Sequence, residues 1–342
     1  MKNIAEKLFE TYTGNDGKTY NSLINNVIFD IANLLGKYNI HYTIQNYFVK
    51  NNYYTNLLAY KPNRSNYILL QGHLDTFPVE GNYNYTINND KIIGRGAVDM
   101  KGSLIGMIDA FIKTYNNDKE FSPMLLITTN EEANDFAGIK HFLKNTPSNI
   151  KFAINGEPNN FKLSTKMKGV MMFDYEKFSD NGHSSSNKIS VIEENVDLIC
   201  RVKEFCEKAR KINNTIASFT LLNSGKVKNQ FPDKFVLHFH LRTSENHNVY
   251  KQIDLSLVSK FKLTEYLPAE TTVLKEIKDK FKSLEKCTFE AFSEANLLNI
   301  YGIDTVVCGI GDISLAHSEQ NKEEITFEEI KKYSNFLISL YI

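Results

Sequence analysis

The sequence predicts an α/β protein in which a compact α+β segment interrupts an alternation of strands and helices that later resumes. Three observations carry this. Short apolar runs ending in Gly or a polar turn recur between stretches of helical spacing through residues 1–162. From 163 to 270 the pattern changes to strand, helix, two strands and a short helix, the signature of a separate α+β layer. After 271 the first pattern returns, with another apolar run closed by a polar turn. The larger domain is therefore expected to be discontinuous, 1–162 plus 271–342, with 163–270 inserted.

Each element has a local reason. Asn21 to Tyr38 places apolar residues at helical spacing, Tyr67 to Leu70 is a short apolar strand closed by Gly72, and Ser103 to Tyr115 returns to helical spacing. PMLLITTNEE and KFAINGEP each read as a buried strand followed by a turn. The insertion reads as a strand at Val170 to Phe178, a helix from Ile189 to about Lys211, strands around Phe219 and Phe235, and a short helix near Val249 to Lys260. TVVCGIGDISLAH is a last strand and turn.

The turns carry the chemistry. His73 and Asp75 lie in QGHLDT, Asp99 in GRGAVDMKG, Glu131 and Glu132 in TTNEEAND, Glu157 in INGEPNN and His317 in GDISLAH. Zinc accepts imidazole and carboxylate, and a catalytic ion keeps a position open for water. Two ions roughly 3.5–4 Å apart need a shared carboxylate and separate terminal ligands. Two His, one bridging Asp and two Glu meet that demand and leave a carboxylate over as a base. In an open α/β sheet the carboxyl ends of the strands are where ligands bind. Asp75, two residues from His73, is placed to accept the second imidazole N–H.

GHLDT, GRGAVDMKG, NEE, GEP, GHSS and the late Gly-Asp…His stretch occur in the order found in the M20 family of co-catalytic zinc amidohydrolases and exopeptidases. The chain resembles that family from about Leu69 to its end. The resemblance implies a mixed-sheet, three-layer, zinc-exopeptidase-like catalytic domain with an inserted lid or dimerisation domain. It implies two zinc ions, with cobalt as an alternative. Asp99 would bridge, His73 and Glu157 would complete one ion, and Glu132 and His317 the other. Glu131 would be the general base for a metal-activated water. His183 of GHSS would reach a partner subunit's site and donate to the oxyanion, a homodimer being implied; the alternative is a turn His held by neighbouring Ser.

Asn229 and Arg242 resemble family positions near the substrate carboxylate, although His240 stands where an Asp is usual and a structural ion pair is an equal reading for Arg242. His238 and His240 share a strand face, better read as surface than as a metal site. Glu294 resembles an acidic residue near the metals that would hold a substrate ammonium group; the alternative is a helix first turn capped by Ser293. The expected substrate is a small N-acylated amino acid, as for acetylornithine deacetylase in arginine biosynthesis. Succinyl-diaminopimelate desuccinylase, acetyl-lysine deacetylase, a dipeptidase or carboxypeptidase, and a non-catalytic binding protein remain alternatives.

Composition narrows the partners. Lys plus Arg and Asp plus Glu number 40 each, so no broad attraction to nucleic acid or anionic membrane is expected. The four Cys show no C-x-x-C spacing, which fits a reducing compartment. Glu6 falls where a signal peptide needs an apolar core, and no run approaches 18 apolar residues, so a cytoplasmic location is expected.

Overall fold

The computed structural model describes residues 1–9, 17–77, 85–117, 119–133, 135–147, 149–244, 247–317 and 322–342. The strand Tyr67–His73 is buried along its whole length and pairs in parallel on both sides, with Ser122–Thr128 and with Ile150–Pro158. A strand covered on both faces reads as a continuous apolar run, which is why YILL stands out in the sequence. It runs three residues beyond the expected end at Leu70, because Gln71, Gly72 and His73 pair with Leu126, Ile127 and Thr128.

These strands belong to a nine-stranded mixed sheet. Its order is Tyr42–Val49, Asn52–Tyr60, Ser122–Thr128, Tyr67–His73, Ile150–Pro158, Thr305–Gly309, Leu163–Met167 and Ala269–Glu270, with Lys286–Phe289 also pairing with Leu163–Met167. The first two strands form an antiparallel hairpin, whereas the central four are mutually parallel. Successive side chains serve opposite faces. Ile68, Leu70, Leu125, Ile127, Phe152 and Ile154 enter the core shared with helices Gly17–Lys37, Gly102–Thr114 and Phe327–Ser339. Gln71, Thr128 and Asn155 face the other way, where Gln71 and Thr128 meet Glu294 of helix Glu294–Ile300. The sheet is thus the middle of three layers.

The parallel centre brings four carboxyl ends to one edge. Gly309 makes the closest backbone approach there: a Cβ would lie 2.1 Å from the Gly156 carbonyl oxygen. Glycine is needed for the Glu157 strand and the segment leading to His317 to sit side by side.

The chain divides into two compact units, one of Met1–Lys166, Glu270–Phe289 and Ser293–Ile342, the other of Met167–Ala269 with Glu290–Phe292. The second unit is a four-stranded antiparallel sheet ordered Ile216–Ser224, Lys234–Thr243, Gly169–Phe178, Lys262–Tyr266. In Lys234–Thr243, Phe235, Leu237, Phe239 and Leu241 point into a core with Val202 and Phe205 of helix Val196–Ala209. Phe173 and Phe239 stack at 4.4 Å between ring centroids.

Two elements of this unit differ from expectation. The helix expected from Ile189 begins later, with a turn at Glu193–Asn195 followed by Val196–Ala209. Ser190 and Glu193 explain the delay: the Ser190 N–H donates to the Glu193 carboxylate at 2.8 Å and the Glu193 N–H to Ser190 Oγ at 3.2 Å, a reciprocal cap that leaves Ile189 outside and exposed. The helix expected from Val249 to Lys260 is split into Val249–Gln252 and Leu255–Val258, because Asp254 caps the second piece by accepting the Leu257 N–H at 3.1 Å.

Candidate metal centre

His73, at the end of its strand, is 1 % exposed. Its Nδ1 lies 2.9 Å from the Asp75 backbone carbonyl, an acceptor only, so the neutral ring carries its proton on Nδ1. The lone pair on Nε2 then faces two more acceptors, Asp99 Oδ1 at 3.0 Å and Glu157 Oε1 at 3.6 Å. Three acceptors directed at one another call for a positive charge between them, supplied by a proton on Nε2 or by a metal ion. The orienting partner expected of Asp75 is thus its backbone carbonyl; its carboxylate is 3.8 Å from Nδ1 and instead accepts the Glu132 N–H at 2.9 Å.

Asp99 follows a loop in which Gly96 adopts φ +81°, a conformation glycine takes without strain. Its two oxygens serve different histidines: Oδ1 is 3.0 Å from His73 Nε2 and Oδ2 is 3.4 Å from His317 Nε2. Glu132 Oε2 lies 3.0 Å from the same His317 nitrogen. Two clusters result, His73 with Asp99 and Glu157, and Asp99 with Glu132 and His317, each with ligand atoms within 4.8 Å of one another. Glu131 joins His73 and Glu132 in a third cluster of the same span. Asn130, at φ +67°, turns the chain after the Ser122–Thr128 strand so that both Glu131 and Glu132 reach the centre, and His317 itself sits at φ +57°. Such left-handed residues concentrate at functional sites.

The electrostatics fit a cationic guest. Burial pushes the Glu157 carboxyl well above the usual range and Asp99 pushes it further, against the pull of His73. Glu131 is likewise raised by burial, drawn back by His73, and raised by Glu157, Glu132 and Asp99. Burial alone would lower His73 and His317, yet the surrounding carboxylates hold both up, His317 to about 10. Among the described residues, buried Glu157 Oε1 has no hydrogen-bond partner. Carboxylates that repel one another around imidazoles that gain positive charge have the donor set of a divalent metal site, of the oxygen-and-nitrogen type suited to zinc. His73, Asp99, Glu157, Glu132 and His317 would hold the ions.

Glu294 departs from the expected contact with substrate. Its carboxylate is fully buried, accepts from Thr128 Oγ1 at 2.6 Å and from Gln71 Nε2, and burial raises it to about 7. Ser293 caps the helix in a capping box with Asn296. Glu294 therefore braces the ends of the His73 and Ser122–Thr128 strands from beneath.

In the second unit, the Ser184 N–H donates to the Asn229 carbonyl at 3.1 Å, bringing GHSS and NQFP together. The Ser185 N–H donates to His183 Nδ1 at 3.2 Å, so the neutral His183 ring carries its proton on Nε2 and presents it as a donor. Arg242 and His240 lie on the partly exposed face of Lys234–Thr243. His238 Nδ1 pairs with Asp174 at 2.7 Å, and no metal cluster forms around these histidines among the described residues.

Two supports of the centre went unread in the sequence. Glu323 is buried against Arg95, and its other oxygen accepts the Gly96 N–H at 2.8 Å and the Val98 N–H at 3.4 Å, clamping the Asp99 loop. Phe77 donates its N–H to Glu132 Oε1 at 3.0 Å, and its ring stacks on His317. Phe77 adjoins GHLDT, a signal that was available; nothing local marks Glu323. No described helix is long and apolar enough to cross a membrane.

The sequence profile of peptidase family M20/M25/M40 matches residues 69–341. An acetylornithine deacetylase of Buchnera aphidicola is 29 % identical over 255 residues, 66 % of this chain and 67 % of that protein. A [LysW]-lysine/[LysW]-ornithine hydrolase of Saccharolobus islandicus is 30 % identical over 283 residues, 77 % of each chain. Human carnosine dipeptidase 1 shares the fold, with a TM-score of 0.73 at 15 % identity over 99 % of this chain and 96 % of its own.

Proposed function

Because this chain belongs to peptidase family M20/M25/M40 and is a metallohydrolase of linear amides, we propose that it removes the acyl group from an N-acylated amino acid, with N-acetylornithine as reference substrate. The observation that carries the reading is Asp99, whose two oxygens serve one imidazole each, flanked by Glu157 on one side and Glu132 on the other. In this reading the five residues hold two zinc ions, cobalt being the alternative. Such ions, when bound, supply Lewis acidity that polarises an amide carbonyl and lowers the pKa of water toward about 7.

The remaining chemistry is the protein's own. Glu131 belongs to neither trio around Asp99, yet its carboxylate lies among the ligand atoms. It takes a proton from the attacking water and delivers it to the leaving nitrogen. Asp75 holds both neighbours, orienting His73 through its carbonyl and the Glu131–Glu132 turn through its carboxylate. His183, protonated on Nε2, donates to the oxyanion in a second copy of the chain, so the active form is a homodimer. Asn229 and Arg242 receive the substrate carboxylate, for which the planar guanidinium fork is suited. The identity with an acetylornithine deacetylase supports the choice of amino-acid substrate.

The test is a turnover panel with zinc- or cobalt-loaded protein on N-acetylornithine, N-acetyl-lysine, N-succinyl-diaminopimelate and dipeptides with free amino groups. An acylated amino acid should exceed every dipeptide in kcat/KM by at least about tenfold, roughly 1.4 kcal/mol of transition-state preference. Faster turnover of dipeptides would replace the deacylase reading with a peptidase one.

A further inference from the structure

The two histidines at the centre are held in different ways. His73 ends a buried strand, and its Nδ1 is fixed by the Asp75 carbonyl at 2.9 Å. His317 follows the short turn Ile313–Leu315, its side chain is 44 % exposed, and its backbone is at φ +57°. Among the described residues no hydrogen bond reaches its Nδ1; its recorded polar contacts all run through Nε2, to Asp99 and Glu132. What meets the flat of its ring is Phe77, with centroids 4.4 Å apart and planes inclined by 21°.

A metal-binding imidazole needs its ring plane set before the lone pair can aim at an ion, and the usual device is a hydrogen bond to the second nitrogen. We propose that Phe77 is a positioning residue that does this for His317 by stacking, and so sets the affinity of the Asp99–Glu132–His317 position separately from that of His73–Asp99–Glu157. The Phe77 N–H also donates to Glu132 Oε1 at 3.0 Å, so one residue contacts both terminal ligands of this position, and among the described residues it makes no hydrogen bond or ring contact with His73 or Glu157. The contact arises because Phe77 lies four residues beyond His73, on the loop that leaves the buried strand. A residue tied to Glu132 through its own N–H thereby orients a ligand that arrives on a short exposed turn. The two positions are consequently unequal: the buried one is preorganised by main-chain contacts and fills first, and the exposed one fills second.

The proposal rests on the two-ion reading, and the experiment separates the two. Metal-stripped protein is titrated with Zn2+ by calorimetry, with stoichiometry checked by metal analysis after dialysis, for wild type, Phe77→Leu and Phe77→Tyr. Every variant keeps the backbone N–H, so only the ring changes. Leu keeps apolar bulk without an aromatic face, and Tyr keeps the face. Phe77→Leu should bind the first ion as wild type does and the second about tenfold more weakly, within the range typical for loss of an orienting partner, whereas Phe77→Tyr should restore the second. Equal weakening of both ions in Phe77→Leu, or no weakening of either, overturns the proposal while leaving two ions bound. Wild type that binds fewer than two ions overturns the two-ion reading and the proposal with it. Thermal unfolding of each stripped variant supplies the folding control: a Tm matching wild type assigns any loss of the second ion to the ring, and a lowered Tm with both ions lost counts against the proposal.

Discussion

Replacing Glu131 with Gln separates proton transfer from metal binding, because two ligand trios form around Asp99 without it. Gln has nearly the same shape but neither takes a proton at neutral pH nor returns one. A positioned base contributes about 10²–10⁴-fold, or roughly 2.7–5.4 kcal/mol at 1.36 kcal/mol per decade. The change also removes one of four carboxylates, Asp99, Glu131, Glu132 and Glu157; burial first, and their mutual repulsion after it, raises the three Glu side chains. Two divalent ions would balance four negative charges and slightly exceed three, so both ions should stay, with affinity altered by less than about tenfold. The assay pairs metal analysis of dialysed protein with kcat and KM on N-acetylornithine. The expected result is two ions per chain, a KM within a few-fold of wild type and a kcat reduced by at least about a hundredfold. Loss of one ion in proportion to kcat would refute the reasoning and make Glu131 the ligand, with Glu132 as the base.

Glu323→Ala removes the buried carboxylate paired with Arg95, which is 7 % exposed, and the acceptor of two N–H groups of the Asp99 loop; it should cost about 3–5 kcal/mol in urea unfolding, and a loss below about 1 kcal/mol would show that the clamp is not needed. His240 sits at about 4 because burial, then Arg242 and His238, disfavour its charged form. With an unfolded value near 6.5, the unfolded chain binds the extra proton, so this contribution is complete above pH 6.5 and lost as pH falls toward 4. After discounting for the partly exposed ring it amounts to about 2 kcal/mol, and wild type should lose that much stability relative to His240→Asn as pH falls through that window; a pH-independent difference would count against it. Chelation should lower Tm, and Zn2+ at a hundred times its Kd should return about 2.7 kcal/mol per site; an unchanged Tm would mean that the centre binds no ion in the folded state.

The parts of this molecule that were legible in the sequence are those whose signal is local. A strand buried on both faces announces itself as YILL, a turn after it as GH or NEE, and the order of the turns matches a family. The strand continued past Leu70 because its last residues bond to neighbours more than fifty positions away, which a window of ten residues does not contain. Apolar spacing alone places Ile189 in a helix, and the Ser190–Glu193 cap overrules it. At the centre, the proposed ligands stand out because few residue types can hold a divalent metal, whereas the supports do not. Glu294 illustrates why: nothing in FSEANLL distinguishes a carboxylate that meets substrate from one pressed under a sheet against Thr128 and Gln71.

That division has a physical basis. The ligands are constrained by the chemistry of an ion, which is the same in every fold, so few residue types can serve. The groups that aim them need only present a carbonyl, an N–H or an aromatic face at the right place, and any residue's main chain supplies the first two. Asp75 acts on His73 through its carbonyl and Phe77 on Glu132 through its N–H, contacts that would survive most substitutions. Only where a side chain does the aiming, as the Phe77 ring does for His317, does the support become a property of one residue. For that reason substitution at Phe77 should split the affinities of the two ions, whereas substitution at Asp75 should disturb His73 through the loop geometry alone, with Asp75→Ala keeping the carbonyl contact and losing chiefly the 2.9 Å contact to the Glu132 N–H.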